Sequence, residues 1–427
     1  MDAILLFGSL VIFLAIGVPI AMALGCSAIL TLVVQGDIPL IVVGQRIYSG
    51  NDSFVLLAVP FFMFAGSIMT HGGISARLVD FAQCVVGSIR GGLAMVATVA
   101  AMFFAAISGS SAATTAAIGG TLIPAMKTRK YPDDFSAAAI AAAGTTGIVI
   151  PPSTPMVVFG VVTGTSIGSL FLGGVIPGLL MGFAMMTTIY ILASTKHKEL
   201  VGLERTPMKV VLKTLATSSW ALLMPFIILG GIYGGIFTPT ESAAVACAYG
   251  LVVGFFIYRK VGLRHLLPIA KESLLSTAYV MFILCTAGLF GWVLVAANIP
   301  QQLAASIAAL TDSPVLIMMM INLFLLFCGT FLNASAAISI VAPIFFPLVV
   351  SLGIDPVAFG VIMVVNLAIG CITPPVGVDL FVVQSVTGLS LETITKAVAP
   401  FILALIVVLI MITVFPGIIM FLPNLMK

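Results

Sequence analysis

Oxygen-bearing side chains gather in two short knots, Ser108-Gly109-Ser110-Ser111-Ala112 and Asn333-Ala334-Ser335-Ala336-Ala337, each set inside a long apolar run. About forty residues after each knot comes a proline pair: Gly147-Ile148-Val149-Ile150-Pro151-Pro152 in one half, Gly370-Cys371-Ile372-Thr373-Pro374-Pro375 in the other. Proline lacks an amide donor and pushes the residue before it out of the helical region, so each pair must interrupt a helix. Carbonyls freed at such breaks, with Ser, Thr and Asn oxygens, make a hard-oxygen cage suited to an alkali cation. Half-helix N-termini carry partial positive charge and suit an anion. The two sets lie about 223 residues apart in matching register, which is the sequence signature of a secondary transporter's central site.

Four breaks therefore define the candidate site: Ser108 to Ser111, Gly144 to Thr154, Asn333 to Ser335, and Gly370 to Asp379. They provide two pseudo-equivalent cation sites with a substrate site between them, to which Ser110, Ser111, Ser153, Thr154, Asn333, Ser335 and Asp379 are assigned. The competing interpretation is that Gly, Ser and Thr merely let helices pack closely. Asp379 is a functional candidate because carboxylates at membrane depth are costly, or else it sits solvated at a cavity mouth. Glu241, in Thr238-Pro239-Thr240-Glu241-Ser242, and Asp52, beside Ser53, are read as helix-start acids.

The elements that must hold these breaks are transmembrane helices. The chain is 61% hydrophobic and 7% charged, against roughly a quarter charged in soluble domains. Runs such as Ile4 to Val34, Phe135 to Ile150, Ile176 to Ala193, Phe282 to Ala297 and Phe401 to Ile419 approach or exceed the roughly 20 residues that cross a bilayer. β-barrels show short alternating segments instead. The first run is too long, and lacks the basic flank, for a cleaved signal peptide. Basic clusters at Lys127–Lys130, Lys196–Lys213 and Arg259–Lys271 mark the cytoplasmic side by the positive-inside rule.

Repeat 1 runs from about Ser53 to Ile191 and repeat 2 from about Ala278 to Val414. An amphipathic stretch with Arg77, Ile74 to Gly87, corresponds to Pro300 to Leu310, which has no Lys or Arg and ends at Asp312. The two thus face opposite sides, which predicts inverted repeats. The segments Gly91 to Met126 and Val315 to Val350 are either two full spans each or re-entrant hairpins. The capping residues at their tips favour hairpins.

Other chemistries find little support. Cys26, Cys84, Cys247, Cys285, Cys328 and Cys371 show no paired spacing and read as apolar fillers. Gly164-Thr165-Ser166-Ile167-Gly168 matches a nucleophile-elbow pattern, but only His71, His197 and His265 could serve it, and no strand precedes it. Metal clusters, phosphate loops and nucleic-acid signatures are lacking, so neither an enzyme nor a nucleic-acid partner is expected.

Several stretches resemble the large membrane subunit of tripartite ATP-independent periplasmic (TRAP) transporters, in the ion transporter superfamily. They are Leu57 to Gly66, Ile107 to Ala112, Ile150 to Ser153, Gly234 to Glu241, Gly360 to Gly370 and Thr373 to Gly377. The likeness covers nearly the whole chain. It implies an all-α polytopic protein with two inverted-topology repeats, re-entrant hairpins and broken helices, working as an elevator in the bacterial inner membrane. It implies scaffold helices and a first arm over 1–90, a transport half over 91–169, scaffold and second arm over 170–313, the second transport half over 314–390, and a C-terminal scaffold helix over 391–427. It also implies sodium-coupled import of an organic acid, with two or more Na+ per cycle and no organic cofactor. The partners it implies, besides membrane lipids, are a small four-helix membrane subunit, not fused here, and a periplasmic binding protein. By position, the first sodium site takes Ser108, Ser111, Gly144, Thr145, Gly147 and Pro151, and the second Asn333, Ser335, Gly370, Thr373 and Pro374. Asn333 stands where Asp is expected in relatives.

Substrates of such transporters include C4-dicarboxylates, sialic acid and other sugar acids, and the overall similarity leans toward sialic acid. Docking of the binding protein is expected near Asp37–Asp52 and Gln301–Asp312. Proton coupling, a passive anion channel and a structural scaffold are the rival functions, the first weakened by the lack of an intramembrane acid and histidine series.

Overall fold

Glycine and proline set the helix boundaries throughout. The computed structural model describes residues 2–36, 38–50, 52–299, 302, 311 and 313–426, and among these every regular element is helical. The stretch Pro300 to Leu310 (apart from Gln302), Asp312, and parts of both expected docking loops lie outside the described residues. The apolar run from Ile4 to Val34 is one segment by hydropathy but two helices in space, α1 (Asp2–Ala15) and α2 (Ile20–Gln35), packed on each other. The separation falls at Gly17-Val18-Pro19, where a donor is lost and helical backbone is disfavoured ahead of the ring.

The short α3 (Ile41–Ser49) precedes a 3-10 turn, Phe54–Leu57, that leads into α4 (Ala58–His71). Ser53, not Asp52, holds the cap position of that turn, and no side chain caps it, because the turn bonds through its own backbone. α5 (Ile74–Val86) is amphipathic and lies against α6 (Gly92–Ser108). α7 (Ser111–Thr128), α8 (Asp133–Gly144), α9 (Thr154–Thr163) and α10 (Ile167–Thr195) complete the first repeat. α11 (Met208–Tyr233) and α12 (Pro239–Val252) lead to α13 (Leu263–Ala296), whose 34 residues reach about 51 Å at 1.5 Å per residue. The second repeat continues as α14 (Pro314–Phe331), α15 (Ala334–Ser351), α16 (Pro356–Gly370), α17 (Val378–Thr387) and α18 (Leu391–Val414), followed by α19 (Gly417–Leu425).

The duplication read from sequence recurs in local structure. α8 and α16 both end on glycine before a Pro-Pro pair, and both Pro-Pro bonds are cis. α9 and α17 are each 10 residues long and each end at a left-handed glycine, Gly164 and Gly388. α10 and α18 each begin at a capping serine, Ser166 and Ser390. Ser166 accepts from the Ser169 amide at 3.3 Å, which accounts for the nucleophile-like motif as a helix start.

α8 and α16 form the centre of the molecule: every residue from Phe135 to Gly144 and from Val357 to Gly370 is buried. A helix apolar on all sides belongs in such a core. Each half reaches into the other, since α9 packs on α15 and α17 packs on α7 and α8. A buried amide chain adds direction to this packing: Asn366 Nδ2 donates to Asn322 O at 2.8 Å, and Asn322 Nδ2 donates to Thr413 Oγ1 at 2.9 Å. These bonds tie α16, α14 and α18 together where apolar contacts alone would let them slide.

Eight helices among the described residues are long and apolar enough to cross a bilayer, among them α10, α11, α13 and α18. Their outer faces expose Phe183, Phe226, Leu403 and Val407, as a lipid-facing surface requires. The basic clusters meet at one end. Phe135 and His197 rings lie 5.1 Å apart, and the Arg77 guanidinium sits 3.5 Å over the Tyr258 ring. His71 stands 3.8 Å from Glu272 at the same end. The base of the α6–α7 hairpin is pinned there too, the Tyr131 hydroxyl accepting from the Leu93 amide at 3.2 Å, and burial pushes that hydroxyl above its ordinary range.

Gly370 marks a close backbone crossing in the second repeat: a Cβ there would lie 2.6 Å from the Gly329 backbone. Gly370→Ala is expected to destabilise the full chain by about 1–3 kcal/mol through overpacking. Gly120→Ala, with no atom within 4 Å of the added methyl, should leave stability equal or slightly raised. Thermal melting of both variants in lipid nanodiscs checks the contrast.

Candidate functional site

Each hairpin tip is shaped by its capping residues. α6 stops at Ser108, Gly109 turns the chain, and Ser110 caps α7 by accepting from the Ala113 amide. The Ser108 hydroxyl meets Thr114 Oγ1 at 2.9 Å, and Thr114 Oγ1 also approaches the Ser110 carbonyl at 2.8 Å. In the second repeat Asn333 Oδ1 accepts from the Ala336 amide at 2.8 Å and starts α15. These side chains replace backbone partners that lipid cannot supply.

The breaks are held directly against the tips. Past α8 the chain tightens into a 3-10 turn, Thr145–Ile148, with the Thr145 and Thr146 hydroxyls donating to Ala142 and Ala143 carbonyls at 2.7 Å. A hydroxyl that donates in this way keeps lone pairs for a cation. Gly147 passes so close to the first tip that a Cβ would lie 2.4 Å from the Ser110 carbonyl. The exits are pinned alike: the Thr154 amide donates to Gly109 O at 3.3 Å, and the Gly377 amide to Thr330 O at 3.3 Å. In the second break Thr373 Oγ1 donates to Ile369 O at 2.7 Å.

The two tips and both breaks line one partly open cavity of about 180 Å³. Its wall is made by the first turns of four helices: Ser111 and Ala112 of α7, Thr154 and Pro155 of α9, Ala334 and Ser335 of α15, and Val378 of α17. Met63 of α4 and Val280 of α13 add to the wall. No Lys, Arg, His, Asp or Glu is among the described lining residues. The polar groups an anion would meet among these residues are backbone amides, hydroxyls, the Asn333 carboxamide and the Cys371 thiol, beside the positive ends of four helix dipoles.

Five of the seven residues assigned to substrate line this cavity: Ser110, Ser111, Thr154, Asn333 and Ser335. Ser153 lies behind it, fully buried, as the cap of α9 and donor to Ile148 O. Asp379 is also fully buried and off the cavity, which removes the solvated alternative. Of the cation candidates, Ser108 faces an adjoining cavity of about 390 Å³ with Ser67, Thr70 and Glu272. Gly144, Thr145 and Gly370 are buried in the crossings. Glu241 fills its expected role, Oε2 accepting from the Thr238 amide at 2.8 Å.

Sequence reasoning passed over Met63, Val280, Thr114, Thr115 and Cys371. The threonines carried a usable signal, standing three and four residues after Ser111 and hence on its helical face. Cys371, taken for a filler, lines the cavity. Met63 and Val280 carried no signal, since apolar residues in an apolar helix are uninformative.

The profile of the family described as "Tripartite ATP-independent periplasmic transporter, DctM component" matches residues 7–418. The chain belongs to this family. It is a multi-pass protein of the bacterial inner membrane, and relatives over nearly its whole length are named as transporter permeases. It is 45% identical to the C4-dicarboxylate TRAP transporter large permease protein DctM of Pseudomonas aeruginosa, over 94% of both chains. It is 45% identical over 97% of its length to the isethionate TRAP transporter permease protein DctMQ of Oleidesulfovibrio alaskensis, of which it spans 65%. To the sialic acid TRAP transporter large permease protein SiaM of Vibrio cholerae it is 38% identical, over 98% of both. The crystal structure of the Alcanivorax borkumensis YdaH transporter shares the fold at TM-score 0.62 and 16% identity, covering 88% of this chain and 87% of that one.

Asn333 is the cap on which the second tip depends. Asn333→Ala is expected to cost about 1 kcal/mol of stability, and Asn333→Ser to recover most of it. Chemical unfolding in detergent, followed by tryptophan fluorescence, measures the difference.

Proposed function

We propose that this chain is the large subunit of a sodium-coupled importer of a small organic acid, working with a small four-helix membrane subunit and a periplasmic binding protein. The observation that carries the reading is the cavity bounded by the first turns of α7, α9, α15 and α17, two from each half. Sodium in the carbonyl cages at Ser108–Pro151 and Asn333–Pro374 would order the tips, so that the acid binds tightly only in the loaded state. The cavity's modest volume favours a C4-dicarboxylate or a small sulfonate over a bulkier sugar acid. The relatives named for C4-dicarboxylate and isethionate, each 45% identical, point the same way.

The elevator reading draws support from α13. It borders the 390 Å³ cavity at Glu272, Ser273 and Ser276, the central cavity at Val280, and a third of about 490 Å³ at Leu284 to Val295. α7 runs beside its basic end through Ala113 to Ala117, and α15 beside the other end through Ser339 and Pro343. Arms that leave the middle of α13 in opposite directions accord with inverted repeats. On this reading hairpins and broken helices move as a block past α4 and α13, and the cavity near Glu272 is the cytoplasmic way out. A charge crossing 100 mV gains about 2.3 kcal/mol, so a net positive load draws the acid inward.

The test is uptake into vesicles holding the chain, the small subunit and a candidate binding protein, one acid at a time. Uptake should require an inward sodium gradient, and Ser335→Ala should raise the half-saturating sodium concentration roughly tenfold. Uptake unaffected by the sodium gradient would refute the coupling, and a requirement for a proton gradient would replace it.

A further inference from the structure

Asp379 stands in the first turn of α17 with no exposed surface, and neither carboxylate oxygen has a hydrogen-bond partner. Thr115 Oγ1 is likewise buried and without a partner. The hydroxyls of Ser111 and Thr115, one turn apart on α7, face the carboxylate, yet neither closes a hydrogen bond of ordinary length and angle on it. Cys371 lies alongside, its carbonyl accepting the Asp379 amide at 3.0 Å. None of the ion pairs among the described residues includes Asp379. A buried ionised carboxylate with no counter-charge is too costly to persist unless something else supplies the charge.

We propose that Asp379 and Thr115, with Ser111 shared from the edge of the first cage, form a third site for a monovalent alkali cation that bridges the two halves. The donor set is all oxygen, which suits a hard ion rather than a transition metal. One carboxylate neutralises one positive charge, whereas a divalent ion would leave net charge buried in an apolar interior. Unclosed hydroxyls follow from the same arrangement: coordinating a shared ion, they present lone pairs and not protons to the carboxylate. The ion would join α7 of the first repeat to α17 of the second, and Cys371, which lines the central cavity, gives it a route inward. The proposal rests on the sodium-coupled reading and adds an ion to it.

Equilibrium binding of radioactive Na+ to the purified full chain in nanodiscs tests it. The intact chain should bind one more ion than Asp379→Asn, which keeps the side chain's size. Thr115→Val should weaken one ion about tenfold and leave the others unchanged. Equal, non-zero counts in the intact chain and Asp379→Asn would overturn the third site and leave sodium coupling standing. No binding to the intact chain would overturn both. If Asp379→Asn fails to fold, Thr115→Val decides, and unaltered binding by it counts against the site. A protonated-carboxyl infrared band, present in saturating sodium and absent from Asp379→Asn, would also overturn it, since a proton would then hold the place of the ion.

Discussion

Inside a bilayer every backbone amide and carbonyl must find its partner in the protein, and this one requirement organises the molecule. Four helices are cut short at membrane depth, and each cut leaves amides or carbonyls that lipid cannot satisfy. The first tip solves this with Ser110 and a hydroxyl pair, Ser108 with Thr114, and the second with Asn333. The breaks solve it by lying against the tips, the amides of Thr154 and Gly377 reaching the carbonyls of Gly109 and Thr330. Two of the groups that stay unsatisfied face inward: helix N-termini onto the central cavity, and the carboxylate of Asp379 onto α7.

Much of this architecture was readable without coordinates, because backbone constraints write themselves into residue type. Proline pairs, capping serines and glycines at close crossings can hardly be replaced, so the four breaks and their register stood out. The junction of α1 and α2 did not, since Gly17 and Pro19 interrupt the chain without interrupting its hydropathy. Contacts between the halves were illegible as well. That α17 packs on α7, placing Asp379 beside Ser111 and Thr115, depends on how two distant segments cross. Nothing local to either segment encodes that crossing.

Packing and polar bonding share the work of holding the crossings. α8 and α16 are buried over nearly their whole length and give the centre its cohesion. Apolar contact in a membrane is poorly directional, because lipid tails offer the same chemistry as Leu or Val. The Asn366–Asn322–Thr413 chain supplies the missing direction, and Gly147 and Gly370 allow approaches that any Cβ would prevent.

Among the described residues, Met63 and Val280 are the cavity-lining ones that belong to neither hairpin nor broken helix. Ser111, Asn333 and Ser335 line the cavity and belong to the proposed cages alike, whereas these two apolar side chains shape the cavity alone. Under the proposed sodium-coupled import, exchange of one apolar side chain for another at Met63 or Val280 would change which acid fits while sparing the cage oxygens. On that proposal a lineage could acquire a new nutrient in small steps, each intermediate retaining the same coupling.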